Sequence, residues 1–81
     1  MTRNENATNE QYAYEIEGNI EITTYRKNLI EEIKEKLKDK KSDTHDAIQN
    51  FPAKSVTSEM LKEFADLVKK ENVTIYKIVR I

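Results

Sequence analysis

The chain has no cysteine, and glycine, proline and histidine occur once each. Without cysteine there is no disulfide frame and no thiol nucleophile, a usage that fits a reducing compartment. A single glycine, Gly18, cannot build the glycine-rich loops that cradle phosphate. A single histidine, His45, leaves no Ser/His/Asp or Cys/His arrangement for nucleophilic catalysis. Asp43 and Asp46 flank His45, but a specific metal site needs three or four ligands, so capping of a short helix is the expected role there. No metal and no cofactor is implied, and the usual parts of an enzyme are missing. No apolar run is long enough to span a bilayer, and no signal peptide is read, so a cytoplasmic location is expected.

Charge is abundant but balanced. Fourteen basic against fifteen acidic side chains give a net charge of −1, so there is no global attraction to nucleic acid or anionic membrane. At 81 residues the chain makes one domain, which buries little area unless it associates with another. Residues 1–10 are polar and aperiodic and read as a disordered arm; residues 11–81 read as a single α+β domain.

From Tyr12 to Thr24 the pattern has period two, the mark of strands with one buried face. Tyr12, Tyr14, Ile16, Ile20, Ile22 and Thr24 share the even positions. Keeping all of them on one face of a hairpin requires a three-residue loop, Glu17-Gly18-Asn19, which pairs Ile16 with Ile20 and Tyr14 with Ile22. One long strand bulged at Gly18 is the alternative. Glu15, Glu17 and Glu21 then form an acid row on the polar face, either a solvated surface or a meeting place for a basic protein.

Tyr25 to Lys41 reads as a helix with Leu29, Ile30, Ile33 and Leu37 as its apolar stripe. Lys27, Lys34 and Lys38 line one flank and are candidates for contact with an acidic partner. Ser42 to Phe51 carries a short-helix signal, with Asp43 able to cap it and Pro52 ending it, and Ala47, Ile48 and Phe51 are expected in the core. Thr57 caps a second long helix whose stripe is Met60, Leu61, Phe64, Leu67 and Val68. Asn72 is placed to close it in the left-handed conformation. Val73 to Ile81 is β-rich and apolar on both faces, which predicts a central strand. The expected architecture is an antiparallel sheet of hairpin plus C-terminal strand, packed on two main helices and one short one. A homodimer would cover the apolar surface this small sheet leaves open.

The stretches RKNLIEEIKEKLKDKKSDTHDAIQNF and TSEMLKEFADLVKKENVTIYKIV, in the order helix, short helix, capped helix, strand, resemble a winged helix-turn-helix domain. The resemblance implies nucleic-acid binding through Lys54, Lys62, Lys69, Lys77 and Arg80. Against this, Glu59, Glu63 and Asp66 share the polar face of the reading helix with its lysines, and phosphate is held by an excess of Lys and Arg. The better-supported expectation is a small non-enzymatic regulatory or inhibitor protein that binds a protein partner, of the phage or mobile-element accessory type. The surfaces expected to carry it are Glu15, Glu17 and Glu21 together with Lys27, Lys34 and Lys38.

Overall fold

The computed structural model describes residues 11–78. The elements run β1 (Gln11–Ile16), β2 (Asn19–Thr24), α1 (Arg26–Leu37), α2 (His45–Gln49), α3 (Ser58–Lys69) and β3 (Thr74–Ile78). The strands form one antiparallel sheet in the order β2-β1-β3, and the helices back one of its faces. The fold is therefore of the α+β class expected from the pattern. The expected arm at residues 1–10, and Val79, Arg80 and Ile81, lie outside the described residues.

Two features of the sheet differ from expectation. The hairpin loop has two residues, Glu17 and Gly18, not three. Ile16 pairs with Asn19, Tyr14 with Glu21, Ala13 with Ile22 and Tyr12 with Thr23. Glu17 and Gly18 have φ of 52° and 82°. Two successive positive φ angles make a turn of the type I′ kind, whose twist matches that of the flanking strands. The second difference is the place of β3. It pairs with β1 alone, so among the described residues it is an edge strand and β1 is the central one. Its apolar residues divide between two different environments. Ile75 faces the helices, whereas Tyr76 and Ile78 share the opposite face.

The core lies between the sheet and the helices. Tyr12 and Tyr14 from β1, Leu29, Ile30, Ile33 and Leu37 from α1, and Ile48, Phe64, Val68 and Val73 are all buried. The whole stripe of α1 is thus inside. The stripe of α3 is only partly so, since Met60, Leu61 and Leu67 are half-buried against the core. Phe51 stacks at a tilt on Phe64, with ring centroids 5.1 Å apart, which ties the end of α2 to α3. Ala47, expected inward, is exposed.

The ends of α3 form as its residues dictate. The Thr57 hydroxyl accepts from the Met60 N–H at 3.1 Å, and Asn72 sits at φ 67° beyond the last turn. At α2 the cap position belongs to Thr44 rather than Asp43, and its side chain makes no cap bond. The Thr44 hydroxyl donates instead to Glu71 Oε2 at 2.5 Å, with Lys40 Nζ 3.8 Å from the other carboxylate oxygen. Hydroxyl bonds from Thr44 and Ser42 hold the Glu71 carboxyl below the ordinary carboxylate range, with Lys40 adding to the effect. This contact ties the entry of α2 to the exit of α3. Thr57→Ala should cost about 1 kcal/mol of stability, read as a lower urea midpoint with an unchanged slope.

Candidate functional site

The hairpin register decides what each face of the sheet displays. On the helix-free face the strands present three cross-strand rows: Ile20–Glu15–Thr74, Ile22–Ala13–Tyr76 and Thr24–Gln11–Ile78. Ile20 is 65% exposed, Ile22 66% and Tyr76 49%, which makes this the least covered apolar surface among the described residues. Glu15 is the one charged side chain in the three rows.

The expected acid row does not exist as a row. With a two-residue loop, odd residues of β1 and odd residues of β2 point to opposite faces. Glu15 lies on the open face and Glu17 in the turn. Glu21 lies across from Tyr14 on the helix side.

On that side Glu32 of α1 does what no helix-only pattern shows. The Tyr14 hydroxyl donates to its Oε1 at 2.9 Å and the Thr23 hydroxyl to its Oε2 at 2.8 Å. Burial, and then the bond to Glu32, push the Tyr14 hydroxyl well above the ordinary tyrosine range. Helix spacing pairs Glu32 with Lys36, but the carboxylate turns to the sheet instead. Glu21, Glu31, Glu32, Glu35 and Lys36 surround a shallow cleft of about 360 Å³ beside Tyr14.

The lysine flank of α1 is an ordinary helix surface. Lys27 and Lys38 are exposed and Lys34 is half-buried. Lys38 pairs with Glu35 at 3.1 Å, and the Lys34 carbonyl accepts from Gln49 Nε2 at 2.9 Å. His45 spends its ring locally, with Nε2 3.0 Å from the Lys38 carbonyl and Nδ1 3.2 Å from Asp46 Oδ1. Among the described residues no group of three His, Cys, Asp or Glu is placed to hold a metal ion. No helix among them is long and apolar enough to cross a membrane.

A second concavity lies between α3 and β3. Tyr12, Ser58, Leu61, Lys62, Ala65, Ile75 and Lys77 line a groove of about 270 Å³. Ser58, Leu61, Lys62 and Ala65 fall on one side of α3, at helical spacing. Of the cations considered for nucleic acid, the groove brings together Lys62 and Lys77. Lys54 and Lys69 do not line it, and Arg80 lies outside the described residues. Periodicity puts Leu61 in the apolar stripe of α3; the partial cover of that stripe is what leaves it at a groove beside Ile75.

The fold and its surfaces define a two-layer α+β domain with one bare sheet face and one edge groove. No protein-family description matches the chain, and neither the curated proteins nor the solved structures contain a match.

The Tyr14–Glu32 bond gives a pH-dependent prediction. The folded state keeps the phenol neutral, while the unfolded chain ionises it from about pH 10 upward. Stability from this group is therefore complete below about pH 10 and lost as pH rises further. Tyr14→Phe should cost about 1–3 kcal/mol at neutral pH, and its deficit relative to the wild type should shrink above about pH 10 in urea titrations.

Proposed function

We propose that this chain is a small non-enzymatic regulatory or inhibitor protein that acts by binding a protein partner through the open face of its sheet. The carrying observation is the exposure of Ile20, Ile22 and Tyr76 on one side of a sheet whose other side packs against the helices. Burying what remains exposed of each isoleucine is worth roughly 1–2 kcal/mol, which a partner layer would recover. Contiguous apolar surface on a small domain marks an interaction site.

Charge bears on who the partner is. A second copy brings its own Glu15 to the same surface, and among the described residues this face offers no cation to meet it. Burying an acid without a counter-charge is costly. A partner with apolar side chains and a Lys or Arg opposite Glu15 fits better than a homodimer through this face.

Duplex binding through the helix-turn-helix-like core is the lesser reading, resting on Lys62 and Lys77 side by side while Glu59, Glu63 and Asp66 occupy the same helix. We expect no retarded complex in a low-salt gel shift at micromolar protein. A complex that weakens steeply with salt would contradict the protein-binding reading.

The face itself is tested with the double variant Ile22→Lys, Tyr76→Ala. Both side chains are exposed, so the thermal midpoint should stay close to that of the wild type. Immobilised wild type should retain a partner that the variant loses; equal retention by both removes the open face from consideration.

A further inference from the structure

The groove between α3 and β3 lies on the other side of β3 from the open face and makes a different kind of contact available. Three observations coincide there. First, β3 pairs only with β1, so among the described residues its outer edge presents unpaired backbone N–H and C=O groups. Second, Leu61, Ala65 and Ile75 are each half-buried and line the groove beside that edge. Third, both charged residues that line the groove are lysines, Lys62 and Lys77; each is exposed and neither has an ion-pair partner among the described residues. No acid lines it.

Edge strands are normally blunted by charge, proline or cover. Among the described residues Lys77 is the one charged side chain of β3, and its charge is a guard against cations as much as a handle for anions. We propose that this edge and groove take an extended acidic segment of a partner protein. The segment adds a strand beside β3 and sets an aliphatic side chain between Leu61, Ala65 and Ile75. Its carboxylates, two residues to either side of that aliphatic one and so on the same face, meet Lys62 and Lys77. Main-chain pairing supplies affinity in such strand addition, while the alternate side chains supply selectivity. Period two suits the site, because residues two apart on the added strand point to the same face.

A second copy is the poorer occupant. Self-pairing of β3 gathers Lys62 and Lys77 from both copies at one seam, with no acid lining either groove. Like charges set opposite one another across paired strands destabilise the pairing. The sequence of residues 1–10, MTRNENATNE, has no aliphatic side chain larger than alanine after Met1 to fill the space beside Leu61.

The proposal does not rest on the open-face reading, and the two can fail separately. The probe is a fluorescein-labelled, C-terminally amidated glutamate–valine peptide with glutamate, valine and glutamate two residues apart on one face and threonine between them, and a lysine–valine peptide of the same pattern is its counterpart. Fluorescence anisotropy should show saturable binding of the acidic peptide to wild type and none of the basic one. Binding should weaken at least about tenfold as salt rises from about 0.05 M to about 0.5 M. Lys62→Glu with Lys77→Glu should abolish it and admit the lysine–valine peptide, and Lys62→Gln with Lys77→Gln should weaken it without that switch. Ile22→Lys with Tyr76→Ala should leave it unchanged. Absence of binding, equal binding of both peptides, or indifference to the lysine variants would overturn the proposal. A sedimentation dimer that the acidic peptide competes away would assign the groove to a second copy and overturn it as well.

Discussion

The tight turn at Glu17 and Gly18 is the constraint from which the rest of the surface follows. A hairpin loop of two residues and one of three differ by a single position, yet that position exchanges the faces of every β2 side chain. With φ of 52° and 82° the turn adopts the twist that antiparallel strands favour, and only one of its two residues is a glycine. Placing Glu17 in the left-handed region costs about 1–2 kcal/mol. The register that results sends Ile20 and Ile22 away from the helices, where they stay largely bare.

Glu32 joins the opposite layer to this sheet. Its carboxylate needs donors where α1 meets the sheet, and Tyr14 and Thr23 supply them at 2.9 and 2.8 Å. In the three-residue register Ile22 would stand in the place of Glu21 and Thr24 in the place of Thr23, so a threonine hydroxyl would face α1 in either case, and Glu32 fastens the sheet to the helix without choosing the register. The turn sets the register, and the bonds from Tyr14 and Thr23 to Glu32 hold the resulting sheet against α1. The apolar residues displaced from the core form the face to which we assign partner binding.

The helices were legible because their signals are local. The α1 stripe of Leu29, Ile30, Ile33 and Leu37 is buried as its spacing requires, and Thr57 and Asn72 bound α3 as their chemistry predicts. The strands were legible as strands but not in their pairing. Alternation in Tyr12–Thr24 gives each strand two faces without saying whether β1 and β2 share parity. Alternation favours burial of all the even residues, and turn geometry prevails over it. The same limit applied to β3, whose apolar residues on both sides suggested an interior strand. One side is covered by helices, the other is the bare face, and the edge is unpaired among the described residues. The acid row dissolved for the same reason, whereas the convergence of Lys62 and Lys77 at one groove needed the three-dimensional neighbourhood of α3 and β3.

The most direct test of the register is a nuclear Overhauser map of the hairpin methyl and aromatic protons. The structure places the Ala13 methyl across from Ile22 and Tyr14 across from Glu21. Cross-peaks between Ala13 and Ile22, with none between the Tyr14 ring and the Ile22 methyls, are the predicted result. Strong Tyr14–Ile22 cross-peaks would show the three-residue loop, return Ile20 and Ile22 to the core, and remove the open apolar face.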